Sequence, residues 1–381
     1  MDFYKINLHC ANEVFLKLGC EPAGANILAQ KSDIIFIHIK NMHVGAANIL
    51  KQDAISVGAD LALPKGAIIA QDKFVDAILL ANTREIKALI QKEQKQAFGL
   101  KAFGEDLKQF INQKNFDTRI MGVLNANEDS FFKDSRFCKK TASKRIEKMI
   151  LDGADIVDIG AVSSRPGSTF ISKDEEFERL KDVIDIIYKE KFYEKACFSL
   201  DSFRESILHH ALDNGFSMIN DITGLKDLAV ATLASRYKAS LVIMHMQNNP
   251  VIMQVNPEYE NIILDLDDFF KQKIELATSC GVQDIILDVG IGFGKNIEHN
   301  LELITNLSHF KHFGYELLIG ASRKSMINDI VTSKIEDRLA GSLAVHLQAV
   351  QNGASIIRCH DVKEHKQALK VQDALLSHKI L

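Results

Sequence analysis

From Arg119 to the end of the chain, short apolar runs alternate with longer stretches in which apolar residues recur every three or four positions. Runs too short for a helix, each followed by an amphipathic stretch, predict strand–helix units around a parallel sheet. Eight such runs can be placed: Arg119 to Leu124, Ile156 to Ile159, Cys197 to Leu200, Met218 to Asn220, Ser240 to Met244, Ile285 to Asp288, Glu316 to Ile319 and Ile356 to Arg358. Helical patterns follow them, at Ser143 to Asp152, Asp174 to Lys189, Phe203 to Asn214, Asp227 to Arg236, Leu264 to Cys280, Ile297 to Leu307, Ile335 to Asn352 and Lys363 to Leu376. Gly153, Gly215, Gly281 and Gly353 each close a helical pattern, where a left-handed terminating residue is wanted. Eight units in about 260 residues predict a (β/α)8 barrel, whose usual size is about 250.

The residues before Arg119 follow another pattern. Asp33 to Ile39 and Ala67 to Ala70 read as strands, and Val44 to Val57 and Arg84 to Ala97 as helices, which predicts a small α/β module. The segment Gln91 to Gln113, rich in Lys, Gln and Glu, reads as a connector or outer helix. The expected division is a module over residues 1–115 and a barrel over residues 116–381. The module shows no motif with chemistry and its role is not written in these residues; subunit contact and capping of the barrel are open, and its deletion is expected to harm folding or assembly rather than chemistry.

Composition narrows the classes. The chain has 46 Lys and Arg against 50 Asp and Glu, a net charge of −4, and no long basic run, so it carries no electrostatic footprint for nucleic acid. The first residues lack an apolar stretch of signal-peptide length, and no later run is long enough for a bilayer, which predicts a cytoplasmic enzyme without a membrane partner. The six cysteines are scattered without a CxxC pair, against both a zinc site and a disulfide framework. His38 and His43 likewise lack partners at metal-ligand spacing.

Polar residues gather immediately after the apolar runs, at the carboxyl ends of the strands, where barrels build their sites. Asn125, Asp201, Asn220 with Asp221, His245 to Gln247, Asp288, Ser322-Arg323-Lys324 and Arg358 with His360-Asp361 all occupy such ends. One strand-end Asp alone is more often a helix cap or loop partner. Carboxylates and cations around one mouth suit a ligand with a donor-rich face and an anionic end: Asp201 or Asp288 can accept paired N–H groups, Asn220 can donate and accept, Arg323 and Arg358 offer planar forks to phosphate, and Lys324 offers a point charge. Gly290 to Lys295 (GIGFGK) fails as a P-loop, because Val289 stands where its first Gly belongs and Asn296 follows the Lys. It serves better as a glycine-lined turn that brings Phe293 to the mouth as an aromatic wall.

The motifs resemble, in order, the signatures of dihydropteroate synthases. They are Met121 to Asn125 with Asp129-Ser130-Phe131, Asp158-Ile159-Gly160 with Ser164 to Gly167, Ser199 to Asp201, Ile219 to Ile222, Met244 to Gln247, Asp288 with Gly290 to Lys295, Gly320 to Ser325, Arg338 to Ala344 and Ile357 to Val362. The resemblance covers the last two thirds of the chain. It implies joining of a pterin diphosphate to 4-aminobenzoate, with Asp201, Asn220, Asp288 and Lys324 holding the pterin. Asn125 would hold Mg2+ with the diphosphate, Arg358 and His360 would grip the diphosphate, and Ser164, Arg165, Pro166, Phe293 and Ser322 would frame the aminobenzoate. Asn125, Arg165, Lys324, Arg358 and His360 would then be the catalytic set, in a homodimer. The chain departs from the family at Ala126-Asn127-Glu128-Asp129, which lacks a loop proline, at Val162, and at Val289, which replaces the proline after Asp288. A pterin-binding methyltransferase barrel and a non-catalytic pterin-binding protein are the alternatives.

Overall fold

The computed structural model describes residues 11–126, 135–161, 171–247 and 253–377. It divides into two compact units, one running from Lys114 to Val371, the other made of the chain up to Gln113 with its end from Gln372.

In the larger unit, strands β4 (Arg119–Asn125), β5 (Ile156–Gly160), β6 (Cys197–Asp201), β7 (Met218–Asp221), β8 (Ser240–Met244), β9 (Ile285–Asp288), β10 (Glu316–Ile319) and β11 (Ile356–Cys359) pair in parallel around a closed barrel. Each expected run is a strand, shifted by at most one residue at its end. Around it lie α6 (Ser135–Leu151), α7 (Lys173–Lys189), α8 (Glu205–Asp213), α9 (Leu228–Tyr237), α10 (Ile262–Ser279), α11 (Ile297–Thr305), α12 (Ser325–Ile330), α13 (Leu339–Gln351) and α14 (Val362–Leu376). The four glycines expected to end helices have φ between 87° and 103°, as required.

The barrel's inside explains why the site stands where it does. Met121, Ile156, Met218, Val242, Ile286, Leu318 and Ile356 are buried together, with Cys197 packed against them, so every strand adds one residue to an apolar ring. Full burial of such a side chain stabilises by about 1.5–3 kcal/mol. Strand side chains alternate, so the residue two positions further faces the same interior. That step leads from Ile156 to Asp158, Cys197 to Ser199, Met218 to Asn220, Ile286 to Asp288 and Ile356 to Arg358, a polar layer resting on the ring.

The smaller unit is an antiparallel sheet in the order β1-β3-β2, formed by β1 (Ile34–His43), β2 (Asp60–Ala62) and β3 (Phe74–Asn82). Helices α1 (Ala11–Lys17), α2 (Pro22–Ala29), α3 (Val44–Val57), α4 (Thr83–Glu93) and α5 (Leu100–Ile111) complete it, and Leu50, Leu61, Leu79, Ile86, Leu89, Leu100 and Leu107 form its core. Helix α4 starts sharply because Asn82 and Glu85 form a capping box. One expectation is corrected here. Ala67 to Ala70 is not a strand: Ala67–Ile69 is a 3-10 turn ending in Ala70 at φ 51°. The strand is β3, further on. No helix among the described residues is long and apolar enough to cross a membrane.

Candidate active site

The polar layer is bonded together at its centre. Asp158, on β5 and fully buried, accepts from Arg358 Nε at 2.8 Å and from Asn220 Nδ2 at 3.1 Å, both through Oδ2. Arg358 Nη2 also donates to Asp201 Oδ2 at 3.0 Å. One guanidinium therefore ties together two carboxylates from neighbouring strands. Asp158 Oδ1 and Asn220 Oδ1 are buried and accept no hydrogen bond among the described residues. Burial pushes the Asp201 carboxyl up to about 7, against the opposing pull of Arg358, and nearby Asp158 reinforces the rise.

Across the mouth, Lys324 Nζ donates to the Ile291 carbonyl and stands 4.4 Å from the centroid of the Phe293 ring. Burial lowers this lysine to about 7, although the Asp288 charge acts to keep it protonated. Burial likewise raises Asp288, whose Oδ1 accepts from the Gly290 N–H at 2.7 Å. The glycine turn is demanded by space: a Cβ on Gly290, at φ 67°, would lie 2.0 Å from the His245 carbonyl oxygen. Lys295 closes the turn from behind, donating to the His245 and Phe293 carbonyls at 3.3 and 3.0 Å, with its Nζ 2.9 Å from His245 Nδ1.

Residues 121–360 match the pterin binding enzyme family. A "Bifunctional dihydropteroate synthase/dihydropteroate reductase" of Helicobacter pylori is 40% identical over 372 residues, covering 97% of this chain and 98% of that protein. The chain belongs to the dihydropteroate synthase family. It is accordingly a transferase of folate synthesis. Among solved structures, a Yersinia pestis dihydropteroate synthase with a sulfonamide drug complex superposes with a TM-score of 0.63 at 33% identity, covering 69% of this chain and 95% of that one. The Thermus thermophilus dihydropteroate synthase in complex with 4-aminobenzoate gives 0.61 at 34% identity, covering 68% and 95%. These synthases match the barrel's share of the chain, whereas the H. pylori protein spans the amino-terminal unit as well.

Of the residues expected in the dihydropteroate synthase site, Asp201, Asn220, Asp288, Lys324, Phe293 and Arg358 lie at one mouth. Asn125 ends β4, with Gly160 between it and Asp201: a Cβ there would stand 3.7 Å from Asn125 Oδ1 and 3.5 Å from Asp201 Cβ. Ser322 and His360 form a pair, with His360 Nδ1 3.0 Å from Ser322 Oγ and the His360 N–H donating to the same oxygen. Ser164, Arg165 and Pro166 lie outside the described residues, as do Asp129 to Phe131. Arg323 is a correction. Its Nε and Nη2 donate to Asp361 at 2.9 and 2.7 Å and its Nη1 to the Ile335 and Glu336 carbonyls, so its fork is spent on the loop rather than offered to phosphate. Asp221 is also structural, accepting from Thr223 and Leu225 in its own turn.

Two features escaped the sequence reasoning. Asp158 stands inside a motif rather than at a strand end, yet its place two residues after Ile156 points it inward. Behind the Ser322 loop, the Ala321 N–H donates to His346 Nε2 at 2.9 Å, His346 Nδ1 meets His365 Nε2 at 2.8 Å, and His365 Nδ1 meets the Asp361 carbonyl at 2.7 Å. Each acceptor fixes the next tautomer, so both imidazoles are neutral donors and acceptors in one chain. Burial holds both below the ordinary histidine range.

Proposed function

We propose that the barrel mouth condenses a hydroxymethyl-dihydropterin diphosphate with 4-aminobenzoate, giving dihydropteroate and diphosphate. The observation that carries this is the pair of buried acceptors, Asp158 Oδ1 and Asn220 Oδ1, that have no partner among the described residues, in a layer that also holds Asp201 and Asp288. An orphaned buried acceptor costs about 1–3 kcal/mol, which a flat heterocycle rich in N–H groups would recover. Asp201, Asn220, Asp288 and Lys324 are assigned to the pterin. Arg358 keeps Asp158 as its anchor and, with His360, faces the diphosphate once Asp201 turns to the pterin edge. Phe293 and Ser322, joined by Ser164, Arg165 and Pro166, are assigned to the aminobenzoate, in keeping with the ligand named for the Thermus structure.

The Asn125 side-chain oxygen, at the end of β4 beside Gly160, suits Mg2+, which prefers few protein oxygens and completes its shell with phosphate and water. Asn125 would hold it, and its charge would offset that of the departing diphosphate. The chain's own groups do the rest. Arg358 and His360 steady the leaving oxygens while the pterin methylene–oxygen bond breaks and diphosphate departs with the electron pair. The neutral arylamine, fixed against Phe293, then attacks the methylene and releases its proton, so no strong base is needed.

The match along the amino-terminal unit supports a second reading for residues 1–115: this chain, like the protein it resembles in H. pylori, also reduces dihydropteroate. A homodimer and a cytoplasmic location complete the proposal. The test incubates the full chain with pterin diphosphate and 4-aminobenzoate, with Mg2+ and then with EDTA. Metal-dependent dihydropteroate is the expected product; its absence would remove the synthase reading. Onward reduction when nicotinamide or reduced-flavin donors are supplied would establish the second activity, and dihydropteroate left unreduced by all of them would remove it.

A further inference from the structure

Away from the mouth, Asp267 of α10 and the histidines His309 and His312 converge on the outer layer of the barrel unit. Their ligand atoms all lie within 4.8 Å of one another. We propose that these three residues bind a structural zinc ion.

Four observations carry this. Both imidazoles aim their Nε2 atoms at one carboxylate oxygen, Asp267 Oδ1, at 2.9 Å for His309 and 2.5 Å for His312. Two imidazole nitrogens and one carboxylate oxygen form a donor set zinc takes readily, with a fourth position left for water. The backbone serves the same end. Leu307–Phe313 is a 3-10 helix of seven residues, whereas such runs seldom exceed three or four. Residues three apart eclipse in a 3-10 helix, so Leu307 and Phe310 share the buried row while His309 and His312 share the next, their rings edge-to-face with centroids 5.1 Å apart.

The surroundings are shielded but reachable. The side chains of His309 and Asp267 are 23% exposed and that of His312 is 8% exposed. Phe310 and Phe313 sit edge-on to Phe270 beneath them, and the His312 ring lies 4.0 Å from that of Phe313. Charge is also right: the two imidazoles flank an acidic side chain, so the donor set supplies an anionic ligand to a divalent cation. Lys311 of the same segment reaches Asn115, just ahead of β4, so the cluster lies toward the side where the strands begin, away from the mouth at their other end. The ion would fasten α10 to the segment that leads into β10 and take no part in the transfer reaction. The scattered cysteines could not have announced it, because its third ligand lies more than forty residues before the His-x-x-His pair.

The test strips the full chain with EDTA, restores Mg2+, adds Zn2+, desalts, and measures retained zinc by mass spectrometry with the melting temperature alongside. One zinc per chain and a raised melting temperature are expected. His312→Ala and Asp267→Asn should each lose that zinc and the rise, while synthase activity stays at its wild-type value. No retained zinc would overturn the proposal and leave a hydrogen-bonded clamp only; equal zinc in wild type and variants would overturn it by placing the ion elsewhere. Should the variants not fold, Co2+ bound to the wild-type chain supplies the readout: a tetrahedral nitrogen–oxygen visible spectrum, abolished by one equivalent of Zn2+, supports the site, and its absence removes it.

Discussion

Asp158→Ala is the sharpest perturbation of the polar layer, because one oxygen of that carboxylate serves both Arg358 and Asn220. Removing it leaves the Arg358 guanidinium to Asp201 alone and orphans the Asn220 amide. Breaking a buried ion pair from one side costs about 3–5 kcal/mol; since Arg358 keeps one carboxylate, the lower end, about 3 kcal/mol, applies. In a unit of this size each kcal/mol moves the melting temperature by about 2–4 °C, so the barrel transition should fall by roughly 6–12 °C in scanning calorimetry. Adding Arg358→Met to Asp158→Ala should cost little more, because the charge that lost its partner is then gone too. A fall below about 2 °C in the single variant, or simple additivity in the double variant, would refute the network as a structural unit.

The mouth should also impose a bell-shaped pH profile on kcat/KM. Asp201 must be ionised to accept pterin N–H groups and gains that form as pH rises through about 7, while Lys324 loses its charge as pH rises through about 7, so both limbs fall near neutrality. Lys324→Arg should move only the alkaline limb upward, and an unchanged limb would assign it to another group. The neutral His346–His365 chain adds an acid limit to stability. Both groups are depressed in the fold, so the unfolded chain binds more protons below about pH 6.5, and stability falls as pH drops from there. His346→Phe should flatten that slope in urea unfolding between pH 7 and 5; a slope equal to the wild type's would deny the histidines this role.

The barrel was legible because its strands are buried on both faces, and a short unbroken apolar run between glycines leaves little else for the chain to do. In the amino-terminal sheet, β1 was legible as the run Asp33 to Ile39, but β2 and β3 were not. Strand β3 alternates in burial, yet its exposed face carries Phe74 and Ile78, so no polar alternation marks it. Conversely, the strand-like Ala67 to Ala70 holds Ile68 and Ile69 out in solvent, at 84% and 76% exposure. In the site, strand-end position found Asp201, Asn220, Asp288 and Arg358, because backbone alternation aims them. It could not tell that Arg323 is taken by Asp361, nor that the residue binding the layer together is Asp158. Those depend on side-chain partners thirty-eight and two hundred residues away.

The most direct test of the central claim is calorimetry of pterin binding to the wild-type chain and to Asp201→Ala with its fold verified by circular dichroism. A charge-assisted hydrogen-bond pair lost from a buried site predicts an affinity lower by about 100-fold or more. An unchanged dissociation constant would place the pterin somewhere other than on the polar layer above the apolar ring, and the account of this mouth would fall.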